Sequence, residues 1–480
     1  MAHGRRAGHE TTRRARQLRS WLAAVACCTL VAATSAASAS AAGPAWTGGL
    51  ELQLPANAYP SAPETVLNSV ACRGQGSCAA VGTYTDDAGV DRALAAVQTT
   101  GPGWHSSEVD PPAGADSSNP EPNLYSVDCG APGSCSAVGD YIVDGGGLRA
   151  MVTSRTNGDW SNAADVELPD HASAAPEASL SSVACGAAGS CAAIGFYKDD
   201  TGVYRPMGAI QSNGTWSPAV AIDLPANADT TSPEATLLSV ACRGSGSCAA
   251  VGAYKDDTGA FRPMGAVVAN GTWSPAVEID LPGDANGTAP DGYLGTVACP
   301  GAGACVAGGS YRDTTGAARA IVASLANGSW STATALALPT DANATAPGAS
   351  IDAIACGATG SCGAAGTYAD AGGTSRTMVA SQTAGSWAAA TRLALPADAD
   401  PAAAGASETA VACGAPGACI LVTSYIDASG IGQRAMTAAQ TNGIWSAASA
   451  LPLPGDAHAT NPDAFTMSAA CGDRWYCVAV

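Results

Sequence analysis

The sequence has few basic residues, few aromatic residues and no shortage of residues that interrupt helices. It contains 21 Lys and Arg against 40 Asp and Glu, for a formal net charge of −19. A nucleic-acid-binding surface needs basic residues that displace counterions from phosphates, so that class of function is excluded. Glycine and proline, with 57 and 29 of 480 residues, recur too often for a helical protein. With only three Phe, the core must consist of Ala, Val, Leu and the ten Trp.

Long apolar segments are also missing, except for one short run near the N-terminus. Six arginines precede Ser20, an apolar run covers residues 21–33, and small residues follow up to Ala41. This order predicts an export signal over residues 1–41, by the Sec or the Tat route, and a secreted chain over residues 42–480. A membrane anchor is the alternative, but the run is shorter than the roughly 20 residues that a bilayer requires. Without residues 1–41 the chain has 15 basic and 39 acidic residues, a net charge of −24.

Cysteines expose an internal repeat over the remainder of the chain. They occur in eight pairs with a six-residue offset, and successive pairs begin 56 to 58 residues apart. A fixed period across residues 42–480 predicts a single repeat domain. In an exported chain each pair is expected to form a local disulfide, and zinc binding is a weaker alternative because only three histidines follow residue 41. The predicted disulfides are Cys72–Cys78, Cys129–Cys135, Cys185–Cys191, Cys242–Cys248, Cys299–Cys305, Cys356–Cys362, Cys413–Cys419 and Cys471–Cys477.

Turn residues divide each repeat into four short strands, which we call A to D. In the first repeat A, B and C are predicted at residues 69–72, 78–84 and 92–98, and D begins at the following Trp. In five repeats Asn-Gly joins C to D, which is typical of a hairpin turn with positive φ at both central positions. Three tight hairpins and one longer connection per repeat predict an all-β fold, a β-propeller of four-stranded blades. A β-helix is the alternative, but its coils are much shorter than this period.

The two ends of the chain are predicted to share one blade. Residues 46–55 have the features of a strand D alone, and residues 467–480 have those of an A and a B. We therefore expect seven full blades and a composite eighth blade that lacks one strand. Strand D could pair in parallel with B, a gap could remain, or the C-terminus could be truncated.

The repeat motif S-V-x-C…C-x-A-V-G-x-Y resembles that of secreted actinobacterial proteins with propeller-like repeats, along the whole chain after the signal. This resemblance implies the fold and export, and it carries over no catalytic residue. The D-x-x-G turns are distantly similar to the Asp-box of sialidase-type propellers. They lack its S-x-D-x-G-x-x-W order, because here the Trp lies one strand later.

A Trp, a Tyr, an Arg and an Asp also recur in the repeats. The aromatic columns could stack on carbohydrate, but packing between blades is the favoured interpretation because packing residues must recur in every blade. The Arg follows the Asp of the D-x-x-G turn by six residues in most repeats. Because hairpin B–C brings the two together, a structural Asp–Arg pair is expected in each blade.

Acidic residues concentrate in the B–C turns and in the D–A connections, which leave a blade at the same end. They suggest an acidic rim that binds a cationic ligand or Ca²⁺, although Asp also favours such turns for conformational reasons. A cofactor is otherwise not expected. The predicted binding residues are Asp199, Asp200, Asp256, Asp257, Asp313, Glu177 and Glu234.

No GxSxG, HExxH, P-loop or EF-hand motif is present, so no catalytic residue is predicted. Two functions stay open. One is a secreted, monomeric, non-enzymatic binding module for a cell-wall glycan or a protein, without nucleic-acid or membrane partners. The other is an extracellular polysaccharide hydrolase or lyase that uses a carboxylate pair at the central channel. Near-identity of the loops between repeats favours binding, because an active site normally decorates a few loops.

Overall fold

A computed structural model describes residues 29–33, 46–61, 64–98, 103–156, 158–403, 409–430, 432–458 and 462–480. All regular elements in these ranges are β-strands, and none of their segments is a helix long and apolar enough to cross a membrane. The strands form eight antiparallel sheets with the order A-B-C-D. The predicted all-β fold of four-stranded blades is thereby confirmed.

Strands A of blades 1–8 are β3 (Val66–Cys72), β7 (Asn123–Ala131), β12 (Ala178–Ala187), β17 (Thr236–Cys242), β22 (Tyr293–Gly301), β27 (Ser350–Ala358), β32 (Thr409–Ala415) and β37 (Ala469–Asp473). Strands B are β4 (Cys78–Thr85), β8 (Ser134–Ile142), β13 (Ser190–Lys198), β18 (Cys248–Lys255), β23 (Ala304–Arg312), β28 (Ser361–Ala369), β33 (Ala418–Ile426) and β38 (Tyr476–Ala479). Strands C are β5 (Asp91–Gln98), β9 (Leu148–Thr156), β14 (Tyr204–Ser212), β19 (Phe261–Ala269), β24 (Ala318–Ala326), β29 (Ser375–Thr383), β34 (Gln433–Thr441) and, in blade 8, β1 (Thr29–Ala33).

Strand D is continuous in blade 1, as β6 (Trp104–Val109), and in blade 8, as β2 (Trp46–Glu51). In blades 2–7 it consists of two short segments: β10 (Asp159–Trp160) and β11 (Ala164–Asp165), β15 (Thr215–Trp216) and β16 (Val220–Ala221), β20 (Thr272–Trp273) and β21 (Val277–Glu278), β25 (Ser329–Trp330) and β26 (Thr334–Ala335), β30 (Ser386–Trp387) and β31 (Thr391–Arg392), β35 (Ile444–Trp445) and β36 (Ser449–Ala450). Backbone N–H groups between these two segments donate hydrogen bonds to the preceding blade. In blade 3, for example, the N–H of Ala219 donates to the carbonyl of Glu167 over 2.8 Å.

The A strands lie side by side around the axis, and the A strand of blade 8 contacts that of blade 1, so the ring of eight blades is closed. The serine of the S-V-x-C motif links neighbouring blades. Ser182 Oγ, for example, accepts a hydrogen bond from the N–H of Val240 in the next blade. Ser468 Oγ accepts one from Val70 across the closure, over 3.2 Å. The serine thus satisfies a backbone donor on the inner edge of the next sheet, which no strand of that sheet pairs.

Eight apolar clusters fill the spaces between adjacent blades, and each contains one Trp of the recurring column. Trp273 lies so close to strand C of blade 3 that a Cβ at Gly208 would be 2.4 Å from its Nε1. The Gly of the A-V-G motif also stands where a side chain would not fit, since a Cβ at Gly252 would lie 1.9 Å from the carbonyl oxygen of Thr236. The packing interpretation of the Trp column is confirmed.

All eight predicted disulfides are present, each across the A–B hairpin of one blade. Their Cα atoms are 3.9 to 4.1 Å apart. So many disulfides are typical of a protein in an oxidising compartment.

Blade 8 contains residues from both ends of the chain, as predicted. Residues 42–480 supply three of its strands, as expected, and in the full chain a fourth strand formed by residues 29–33 replaces the expected gap or parallel D–B pairing. Residues 29–33 lie between β2 and β38 and pair antiparallel with both. This strand could not be predicted because it has none of the repeat motifs, and its apolar residues match an export signal equally well. The export signal stays a prediction, and most of residues 1–41 are outside the described ranges.

Candidate functional site

The B–C turns and the D–A connections form one face of the ring. In blade 4 the connection contacts the turn through a backbone bridge between Ala228 and Asp256, and the N–H of Asp257 donates to the carbonyl of Asn227 over 2.8 Å. Equivalent bridges occur in blades 1–7. The acidic segments therefore meet at one end of the blades, where the sequence placed them.

The first Asp of each turn is engaged inside its own blade. Asp256 Oδ1 accepts hydrogen bonds from the N–H groups of Thr258 and Ala260, and Oδ2 accepts one from Arg262 Nε over 2.8 Å. The same Asp–Arg pair occurs in six blades: Asp86–Arg92, Asp199–Arg205, Asp256–Arg262, Asp313–Arg319, Asp370–Arg376 and Asp427–Arg434. In blade 2 the turn has Val143 instead, and Arg149 pairs with Asp165. The predicted structural pair is confirmed in six blades.

These contacts change the acidity of the carboxyl groups. Burial disfavours the charged form of Asp199, but hydrogen bonds from Thr201, Arg205 and the backbone outweigh it and lower the pKa to about 2. The pKa of Asp256 is also about 2, against the same effect of burial and through Thr258, Ala260 and Arg262. Hydrogen bonds from Thr315 and then Arg319 lower the pKa of Asp313 as well. These turns are held by charged Asp residues.

The recurring Tyr is buried beneath this face. In blade 4 the hydroxyl of Tyr254 donates to Asn227 Oδ1 and Glu278 Oε2, each over 2.9 Å. Burial, and then the bond to Glu278, raises the pKa of Tyr254. Because Tyr84, Tyr141, Tyr254, Tyr311 and Tyr368 are fully buried, stacking on a carbohydrate is not available to them.

The seven predicted binding carboxylates occupy three different environments. Asp199, Asp256 and Asp313 are buried in the turns, with 7, 3 and 4% of their surface exposed. Asp200 and Asp257 are exposed at the turn tips. Glu177 and Glu234 lie at the start of blades 3 and 4. No group of three or more His, Cys, Asp or Glu side chains within the described ranges is arranged to hold a metal ion.

Glu177 and Glu234 belong to a feature that the sequence reasoning missed, which we call the blade 3–5 rim. In blade 3, Lys198 Nζ lies 2.8 Å from Glu177 Oε1 and 5.6 Å from the centre of the Tyr204 ring. The Tyr204 hydroxyl also donates to Glu177. The rim consists of Glu177, Lys198, Tyr204, Glu234, Lys255, Phe261, Asp291 and Arg312, which stand at matching positions of three consecutive blades.

The arrangement repeats in blades 4 and 5. Lys255 Nζ is 2.6 Å from Glu234 Oε1 and 5.2 Å from the centre of the Phe261 ring. Arg312 Nε is 2.6 Å from Asp291 Oδ2, and about half of each of these two side chains is exposed. Each blade thus presents a cation paired with a carboxylate, and in two of them an aromatic ring lies beside the pair.

An open cleft of about 430 Å³ lies between blades 4 and 5. Phe261, Tyr293, Asp291 and Arg312 line it, so both apolar ring surface and hydrogen-bonding groups face the same space. Such a combination is typical of small-ligand sites.

The other blades lack the rim although their turns are similar. In blade 6 the residues at the positions of Glu234, Lys255 and Phe261 are Gly348, Ala369 and Ser375. One signal for the rim was present in the sequence, because the only two lysines of the chain stand at this position of blades 3 and 4. The sequence did not indicate that Glu177 and Glu234, twenty-one residues earlier, lie beside these lysines.

The opposite face consists of the disulfide hairpins and the C–D turns. One of its cations, Arg73, donates to the carbonyl of Cys185 over 2.8 Å and lies 3.9 Å from Asp128. Burial raises the pKa of Asp128, although Arg73 opposes this. These groups connect blades 1 to 3 and are engaged within the ring.

No protein-family model matches the chain, and no curated protein sequence matches it. Similar solved structures include the fucose-specific lectin from Aleuria aurantia, with 11% identity, 82% of this chain and 97% of the lectin covered, and a TM-score of 0.31. Another is Trypanosoma rangeli sialidase in complex with the inhibitor DANA, with 10% identity, 71 and 57% coverage and a TM-score of 0.32. AofleA from Arthrobotrys oligospora gives 10% identity, 72 and 94% coverage and a TM-score of 0.33. Similarity at this level carries no information about ligand or activity.

Proposed function

We propose that this protein is a secreted, non-enzymatic binding module, and that its ligand is a cell-wall or extracellular glycan that contacts the blade 3–5 rim. The observation that supports this proposal is the break in symmetry at the rim, which lies in single side chains while the loops keep the length of the repeat. Packing residues recur in all or nearly all blades, whereas the rim occurs in three neighbouring blades only. A feature that the ring does not need for closure is the best candidate for ligand contact.

The chemistry of the rim suits a sugar better than a strongly charged ligand. Each cation is paired with a carboxylate, so the pairs present donors and acceptors together with little net charge. Tyr204 and Phe261 are half-buried, and the exposed part of an aromatic side chain is a surface against which the apolar face of a sugar can pack. The matching positions of the three blades suit an extended chain of several sugar units.

A pull-down with purified cell-wall polysaccharide tests the proposal. The double variant Tyr204→Ala, Phe261→Ala should bind about tenfold less than wild type, because aromatic anchors dominate such contacts. Ser375→Ala in blade 6 changes the same strand position outside the rim and should bind like wild type. Equal binding by all three proteins, at equal melting temperatures, would refute the proposal.

The predicted acidic rim is a separate hypothesis with its own experiment. Asp200 and Asp257 are exposed, so the variant Asp200→Asn, Asp257→Asn removes two charges without touching the Asp–Arg pairs. If Ca²⁺ or a cationic ligand binds there, calorimetric titration should show weaker binding by this variant. Glu177→Gln, Glu234→Gln tests the other two predicted carboxylates outside the Asp–Arg pairs, half-buried Glu177 and exposed Glu234, in the same titration. Unchanged titrations for both variants would leave the carboxylates as turn formers and solubilising charge.

The polysaccharide hydrolase or lyase is a second candidate, and one group favours it. Asp352 lies on strand A of blade 6, and desolvation of its carboxyl group by the surrounding protein raises its pKa although part of the residue is open to solvent. Ser350 Oγ donates to it over 2.6 Å. Burial first, and then the charge of Asp352, raises the pKa of Tyr293, a residue that lines the cleft between blades 4 and 5. Release of reducing ends from polysaccharide by wild type, and its loss in Asp352→Asn, would support this candidate over simple binding.

A further inference from the structure

The eighth blade contains one strand, β1, that the predicted signal cleavage would detach from the rest of the chain. β1 lies within the predicted export signal, and cleavage after Ala41 or Ala42 would separate it from β2. Its backbone pairs on both sides, with Val31 opposite Gly49 of β2 and opposite Ala479 of β38. Removing it would leave a space of two strand spacings, about 10 Å, between β2 and β38.

Contacts that do not involve β1 hold the two strands on either side of that space, β2 and β38. On the outer side, the N–H of Gly49 donates to the carbonyl of Pro452 in blade 7 over 3.0 Å, and Ser106 of blade 1 donates to the carbonyl of Gln53. On the inner side, the disulfide Cys471–Cys477 joins β38 to β37. The same D-to-preceding-blade bonds hold the intact blades in the ring. We therefore expect β2 and β38 to keep their positions without β1, and their backbone groups that face the space would lack partners.

The neighbours of the space define what can fill it. Cys477 and Ala479 belong to the apolar cluster shared with blade 7, and Tyr476 and Val478 belong to the cluster shared with blade 1. A strand in this position faces apolar clusters on both sides of the sheet. It must be extended, short and mostly apolar, as the segment Thr-Leu-Val-Ala-Ala of β1 is.

We propose that blade 8 is a strand-acceptor site. Residues 29–33 fill it in the full chain, and after export cleavage an extended apolar segment of a partner protein takes their place by strand addition. The inference depends on the predicted cleavage and not on the glycan site.

Controlled release of β1 from the folded full chain tests the proposal. A protease recognition sequence is placed between residues 34 and 45, and the folded, oxidised protein is cut in the presence of excess labelled peptide of residues 29–35. We expect one labelled peptide to be bound per protein after gel filtration, in place of the original fragment. Retention of the original fragment with no labelled peptide bound would contradict replacement by a second strand. A peptide with Val31→Pro should bind at least about tenfold less, because proline cannot donate to the ladder within a sheet.

Uncut protein is the control for non-specific uptake and should bind no peptide. If the fragment dissociates, no peptide is taken up and the melting temperature is unchanged, the space has closed without a strand and the proposal is overturned. Glycan binding by the cut protein is measured in parallel, so loss of the glycan site is distinguished from failure of strand addition.

Discussion

Blades 4 and 6 share a scaffold and differ at the rim. Both have a buried Tyr and an Asp–Arg pair, Asp256–Arg262 in one and Asp370–Arg376 in the other. Blade 4 adds Lys255, Glu234 and Phe261, where blade 6 has short, uncharged residues. The comparison separates residues that hold a blade from residues that are free to contact a ligand.

The largest expected effect concerns the shared scaffold. Asp256→Ala and Asp370→Ala should each lower the free energy of unfolding by about 2–3 kcal/mol, because each removes the carboxylate partner of an Arg and leaves two backbone donors unpaired. Urea unfolding measures the change. Asp257→Ala, one residue away and exposed, is the control and should cost less than about 0.5 kcal/mol. Clearly unequal losses in blades 4 and 6 would mean that the two scaffolds are not equivalent.

Acid should weaken the scaffold in a definite pH range. The pKa values of Asp199 and Asp256 are about 2 in the fold, below the ordinary value of about 3.9 for an unfolded chain. The unfolded chain therefore binds protons first, so stability from these groups is complete above about pH 5 and is lost as the pH falls towards 2. The melting temperature of Asp256→Asn should fall less steeply than that of wild type between pH 4 and 2. Parallel curves would contradict this assignment.

In contrast to substitutions in the scaffold, substitutions in the blade 3–5 rim should reduce glycan binding with little effect on stability. Lys255→Ala and Phe261→Ala should change the free energy of unfolding by less than about 1 kcal/mol, because these side chains are partly exposed and the ion pair is weak. Glycan binding should nevertheless fall. If both variants lose stability as much as Asp256→Ala does, the rim is part of the scaffold and the comparison between the blades collapses.

The smallest expected effect is a gain. Ser239 and Thr296 accept a hydrogen bond from the next blade, whereas Ala353 stands at the equivalent position of blade 6. Ala353→Ser should supply an acceptor for the N–H of Val411 and raise the free energy of unfolding by up to about 1 kcal/mol. Ser239→Ala, the reverse change, should lower it by a similar amount, and thermal unfolding of both variants measures the difference.

The sequence was sufficient to predict the blades because their signals are local and recur. Cysteine offsets, Asn-Gly turns and the Asp–Arg spacing each act within one hairpin, so the disulfides and turns followed directly. The serine links between blades and the strand formed by residues 29–33 were missed, because they join parts of the chain that no local pattern connects.

The same distinction applies to the site. The sequence was sufficient to predict which face carries the acidic residues, but it did not distinguish buried carboxylates from exposed ones. The fold separates them, since Asp256 is bound by Arg262 and Glu234 is exposed beside Lys255. That separation depends on burial, which a repeat pattern in the sequence does not encode.

Hydrogen exchange with and without bound glycan shows which blades contact the ligand. If the ligand binds the blade 3–5 rim, exchange should slow in residues 196–205, 253–262, 291–293 and 310–319 when cell-wall glycan is bound, and should not change in residues 367–376 of blade 6. Protection confined to the disulfide hairpins, or equal protection of all blades, would contradict the assignment of the ligand to the blade 3–5 rim.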